Sequence, residues 1–183
     1  MRDSVWKVAI KDTSILIDME QAGLFDVWFQ LNIETHTTDF VVNELGVENP
    51  NARAHIKAGH IICHTLNQAD ILRVVELRNR HGRNLSMQDC SLLHVIGRLP
   101  GAVLLTGDMA IRRTAEERGH TVHGLLWIFD ILVEQGLLHP AVAAAKLAFL
   151  CQNGCRLPRE EIEKRMMDWN RSAASTPPDA LPD

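Results

Sequence analysis

At 183 residues the chain has the size of one domain, or of one domain with a small appendage. Hydrophobic residues at 46% and charged residues at 23% provide enough apolar area to offset the entropy of folding, which excludes a chain disordered throughout. A formal charge of -4 excludes a broad basic surface that grips nucleic acid non-specifically, so any nucleic-acid chemistry needs a local site. Asp130 and Lys146 interrupt the longest apolar stretches, and no membrane partner is expected. The opening Met1-Arg2-Asp3 lacks a signal-peptide core, which predicts a cytoplasmic protein.

In chain order, Trp6 to Lys11 is a short β-type run, followed at once by Asp12-Thr13-Ser14. Thr13 and Ser14 are good helix caps, and the apolar periodicity from Ile15 to Leu31 is helical. Glu34 to Thr37 reads as a second strand. Thr38 or Asp39 then caps a helix through Glu44 and Leu45, stopped by Gly46. A short helix over 52–58 precedes a third strand from Gly59 to Leu66, and Gln68 to Arg80 has helical spacing. Ser86 to about Leu99 is the next helix, and Ala102 to Thr106 is the most strand-like run in the sequence. Gly107-Asp108 opens a helix that Gly119 ends, and Thr121 to Gly124 is a brief strand. Helices near 125–135, 140–152 and 158–169 follow, and the Pro-, Ala- and Ser-rich tail Ser172 to Asp183 is expected to be disordered. Strands alternating with helices predict an α/β layer fold around a largely parallel sheet.

No P-loop, G-x-G-x-x-G, H-E-x-x-H or G-x-S-x-G motif occurs. The cysteines contain no C-x-x-C pair, and Cys151 and Cys155 read as small buried hydrophobes rather than as ligands. The informative pattern is where the acids stand. Asp12 follows the first strand, Asp108 follows the strongest strand, Asp89 lies in the first turn of a helix, and Glu44 lies within another. Ligands of open α/β sheets bind outside the C-terminal ends of the strands, where Asp12 and Asp108 belong if their strands are central and parallel. Carboxylates crowded into one crevice repel, and a hard divalent cation such as Mg²⁺ or Mn²⁺ removes that penalty. Taken singly, each acid also has a structural role open to it: Asp12 and Asp108 as helix caps, Asp89 with Ser86 as a capping box, Glu44 as a solvated surface acid.

The segments VAIKDTSIL, TTDFVVNELG, LSMQDCSLLHVIG and VLLTGDMAIRRTAEERG resemble the successive motifs of the PIN-domain nuclease family, which includes the VapC-type toxins of toxin–antitoxin pairs. The resemblance covers roughly residues 6–135. It implies a PIN-like three-layer α/β fold with a largely parallel central sheet flanked by helices, followed by a C-terminal helical extension. It also implies an Mg²⁺- or Mn²⁺-dependent endoribonuclease, with Asp12, Glu44, Asp89 and Asp108 as metal-holding catalytic acids supported by Ser14 and Thr106. RNA is then the substrate, and an antitoxin protein and a second copy of the chain are the candidate protein partners. The expected organisation is a nuclease unit over 1–135, an extension over 136–171 and a tail over 172–183. A non-catalytic PIN-like regulatory module and a nuclease acting on DNA are the alternatives.

Secondary candidates are cationic. Arg78, Arg80, His81 and Arg83 crowd the loop before Asp89, and Arg112 and Arg113 follow Asp108 by one turn. Arg83 and Arg112 are the candidate contacts to substrate phosphate, against ordinary surface solvation. His60 and His64 share a face whether their segment is strand or helix, and read as core or surface residues rather than as a metal pair. Trp127 with its apolar neighbours reads as core or interface rather than as a base-stacking platform.

Overall fold

A computed structural model describes residues 6–10, 13–155 and 157–175. The strands are β1 (Trp6–Ile10), β2 (Ile33–Thr38), β3 (Ile61–His64), β4 (Val103–Leu105) and β5 (Thr121–His123). All pair in parallel, in the order β3-β2-β1-β4-β5. The helices are α1 (Thr13–Gln21), α2 (Phe25–Trp28), α3 (Asp39–Glu44), α4 (Pro50–Lys57), α5 (Gln68–His81), α6 (Met87–Ile96), α7 (Met109–Glu117), α8 (Leu125–Glu134), α9 (Pro140–Gln152) and α10 (Arg159–Ser175). Among the described residues no helix is long and apolar enough to cross a membrane.

The expected α/β fold with a parallel sheet is what the chain adopts, and the order of its strands positions everything that follows. From β1 the chain steps through β2 to β3 on one side, then returns across the sheet to β4 and β5 on the other. β1 and β4 therefore adjoin at the point where the winding reverses, with Ile10 opposite Leu105. In such sheets the segments leaving those two strands border a crevice.

The core is built from both faces of the sheet. Val8, Leu104 and Leu105 are fully buried, as expected of parallel strands covered by helices on each side. β2 is different: its sequence IETHTT is polar, yet Thr35, His36, Thr37 and Thr38 are all buried. β-branched threonine suits an extended backbone, and its hydroxyl can be buried if it finds a partner. Thr35 Oγ1 accepts from Trp28 Nε1 at 2.9 Å, and Thr38 Oγ1 lies 2.8 Å from Ser91 Oγ. α6 packs across β1 and β2, and its Leu92, Leu93, Val95 and Ile96 are buried.

Two local expectations change. The helical run Ile15 to Leu31 is two helices, because Gly23 at φ +58° ends α1. Leu24 N–H donates to Met19 C=O at 2.8 Å and Gly23 N–H to Glu20 C=O at 3.0 Å, the paired bonds of a Schellman stop. α10 continues to Ser175, past the expected start of the tail at Ser172, while residues 176–183 lie outside the described residues. α9 and α10 pack on each other, and Trp169, 6% exposed, sits against Phe129 of α8. The guanidinium of Arg165 in α10 binds Asp130 of α8 through Nε at 2.8 Å and Nη2 at 2.7 Å.

Candidate active site

β4 ends at Leu105, and its C-terminal loop is fixed by main-chain bonds before any chemistry is considered. Thr106 is fully buried; its N–H donates to His123 C=O at 2.9 Å, and its hydroxyl accepts from Asp108 N–H at 3.0 Å. Asp108 is exposed and caps α7, its Oδ1 accepting from Ala110 N–H at 2.7 Å and Ile111 N–H at 3.3 Å. A carboxylate at a helix N-terminus is stabilised as an anion by those amides and by the helix dipole. Ser14, exposed in the first turn of α1, lines the same cleft as Thr106 and Asp108.

Glu44 is the last residue of α3, and its Oε2 accepts from the hydroxyl of Thr13, the first residue of α1, at 2.9 Å. This bond ties the second predicted acid to the segment that follows β1. Asp89 lies at the third position of α6 and is 4% exposed. Its Oδ2 accepts from Ser86 N–H at 2.7 Å while Ser86 Oγ accepts from Asp89 N–H at 3.1 Å, a complete capping box. The Thr38–Ser91 contact two residues further on pins α6 to the start of α3. The structural and the functional roles of Asp89 and Asp108 are compatible, since a cap fixes the carboxylate that a ligand would use.

Asp12 lies outside the described residues. Among the described residues no three His, Cys, Asp or Glu side chains close around one point that would hold a metal ion. The structure therefore brings Ser14, Thr106 and Asp108 to one cleft and links Glu44 to α1, while Glu44 and Asp89 are not in that cleft's lining.

The cleft has a volume of about 880 Å³ and runs from Ser14 and Asp108 past His123 and Trp127 to the α9–α10 turn and Arg165. Its far wall was not foreseen, because its contacts join residues far apart in sequence. Cys155 Sγ–H donates to Asp18 at 3.3 Å, and burial, reinforced by that carboxylate, pushes the thiol up to about 12. Burial and the neighbouring Arg112 hold the His123 imidazole below its ordinary 6.5.

Of the cationic candidates, Arg112 donates from Nη1 to Val122 C=O at 3.1 Å and from Nη2 to Thr106 C=O at 3.3 Å. It clips the ends of β4 and β5 together. The Arg83 side chain lies outside the described residues, while Arg78 and Arg80 are exposed and His81 Nε2 lies 3.2 Å from Arg118 Nη2. Arg113 is exposed beside a second hollow of about 400 Å³ that includes His81 and Met109. His60 and His64 do not meet. His60 pairs with His55 at 2.9 Å, and His64 with His36 at 3.0 Å.

A parallel, doubly wound sheet with a carboxylate capping the helix beyond its switch point defines an α/β protein whose ligand site lies at the strand ends. The sequence matches the model of one such family, the PIN domain, over residues 8–171, and the chain belongs to the PIN-domain family. PIN domains are generally nucleases, and PIN nucleases generally use divalent metals. No curated protein matches the chain.

Proposed function

We propose that the chain is an Mg²⁺- or Mn²⁺-dependent endoribonuclease, the toxin of a toxin–antitoxin pair. The observation that carries the reading is the adjacency of β1 and β4 at the switch point, with Asp108 fixed just beyond β4. Position 12 follows the paired end of β1, and Glu44 is bonded to Thr13 beside it. Family membership supports the nuclease chemistry. The toxin assignment rests on the resemblance of the motif series, and residues 1–135 are taken as the nuclease unit with 136–171 as its extension. In this reading the protein is cytoplasmic, and an antitoxin and a second copy of the chain are its protein partners.

The donors fit a hard divalent cation, because Asp12, Glu44, Asp89 and Asp108 offer carboxylate oxygens and Ser14 and Thr106 add hydroxyls. When bound, the cation would polarise the phosphoryl group and neutralise the charge that builds on it. The chain's own groups do the positioning. Asp108 is held by two amides and Asp89 by its capping box, so neither carboxylate has to be ordered when substrate arrives. A carboxylate of the set orients the attacking water and accepts its proton. Attack at phosphorus in line with the O3′ leaving group breaks the P–O3′ bond and leaves a 5′-phosphate and a 3′-hydroxyl. This chemistry needs no 2′-OH, so DNA of the same sequence is the control substrate.

The test is Mn²⁺-dependent cleavage of single-stranded RNA by the purified chain. Asp12→Asn, Asp89→Asn and Asp108→Asn each keep size and remove a charge, and each should lower the rate on the order of 10²–10³-fold. Full activity in Asp12→Asn and Asp89→Asn, or preferential cleavage of DNA, overturns the reading.

A further inference from the structure

His123 ends β5, opposite Leu105 of β4, and its carbonyl receives Thr106 N–H. It is thus anchored beside the loop that carries Asp108. Its ring stacks on that of Trp127, one turn into α8, with centroids 4.7 Å apart and planes within 5°. Trp28 meets Trp127 from another side, edge-on at 6.3 Å and 67°. The stack is therefore held in place at one end, and both its rings line the cleft while remaining only half-buried. Among the described residues the His123 ring nitrogens make no hydrogen bond.

The charges around the stack select what can enter. Asp18, Asp108, Asp130 and Glu161 line the cleft, and among the described residues its guanidinium groups, those of Arg112 and Arg165, are already engaged. Arg112 is bonded to the carbonyls of Thr106 and Val122, and Arg165 to Asp130 and Glu161. Among the described residues of this wall a phosphate meets carboxylates and guanidinium groups already committed to other partners. A nucleobase meets a flat aromatic face, and the volume of about 880 Å³ lies in the range that holds a small organic ligand. Sequence-tolerant capture of single strands relies on such stacking, because every base has a π-face.

We propose that the cleft beside Asp108 is a nucleobase subsite, in which a base of single-stranded RNA stacks on the His123–Trp127 pair. The subsite rests on the nuclease reading for its substrate and supplies what that reading lacks, a means of holding a strand on an acidic protein. Trp127, which the sequence offers as core or interface rather than as a base-stacking platform, then has two duties, packing on the core and backing the His123 ring.

Binding of a short fluorescent oligoribonucleotide to the full chain is measured by anisotropy in EDTA at low salt, alongside the same strand made abasic. The wild type should favour the base-bearing strand on the order of 10-fold, the effect expected of one stacked base. His123→Ala should abolish that preference, and His123→Phe, which keeps a flat ring, should retain it. A wild type without preference, or His123→Ala with the preference intact, overturns the subsite. Mn²⁺-dependent cleavage in parallel separates the two readings. Cleavage without base preference removes the subsite and leaves the nuclease, and His123-dependent preference without cleavage does the reverse.

Discussion

Replacing Asp89 by Asn tests the metal site through stability rather than through turnover. The carboxylate is 4% exposed, accepts from Ser86 N–H at 2.7 Å and sits in the first turn of α6. Asparagine keeps an acceptor for that bond but loses the charge, so the charge-assisted bond and the attraction to the helix dipole both weaken. Together these cost about 1 kcal/mol. Repulsion from Glu44 and Asp108 would act in the opposite sense, but both are exposed and screened by solvent, so the loss of the cap should dominate. At roughly 2–4 °C per kcal/mol for a domain of this size, Asp89→Asn should melt roughly 2–4 °C below wild type in EDTA. On the proposed reading a divalent cation would bind the folded chain through these acids and would scarcely bind the unfolded chain. At a hundred times its dissociation constant it should stabilise wild type by about 2.7 kcal/mol, or roughly 5–10 °C. Thermal unfolding followed by circular dichroism, with EDTA and with saturating Mn²⁺, gives all four melting points. Equal Mn²⁺ responses in wild type and Asp89→Asn would show that Asp89 is a cap and nothing more, and the metal site as drawn would fall.

Two further outcomes concern the rest of the molecule. Arg165→Met keeps the aliphatic stem but removes the paired bonds to Asp130; after allowance for solvent at this half-open wall, the loss should be about 1–2 kcal/mol, or roughly 2–8 °C in thermal unfolding. An unchanged melting point would mean that this pair does not fasten α10 to α8. Burial holds His55, His64, His120 and His123 below their ordinary 6.5, so the unfolded chain takes up protons there before the folded chain does. Their contribution to stability is fully present above pH 6.5 and is lost as pH falls through the lowered folded values, so the melting point should drop as the pH is taken below 6.5. A flat profile there would contradict the assigned desolvation.

What the sequence determined by itself is local. The apolar runs that became β1 and β4, the Thr38, Ser86 and Asp108 caps, and the Gly119 helix end are all set by residues within a few positions of one another, whereas α3 stops at an extended Leu45 rather than at Gly46. The α/β class and the membership in the PIN family follow from their order. Even locally, one strong signal misled: apolar periodicity continued through Gly23, where the αL turn that splits α1 from α2 depends on a single residue without a Cβ. The tertiary structure decided whatever joins distant segments. Thr13 meets Glu44 across 31 residues, Thr38 meets Ser91 across 53, and Cys155 meets Asp18 across 137. No spacing rule encodes such pairs, because they exist only once the strands have taken the order β3-β2-β1-β4-β5. The same order buries the polar β2, whose threonines and His36 would read as surface from sequence alone, and it stacks His123 on Trp127 beside Asp108. Side-chain chemistry is written in the sequence; which chemistry shares a cleft is set by loop closure and packing, which act on the whole chain at once.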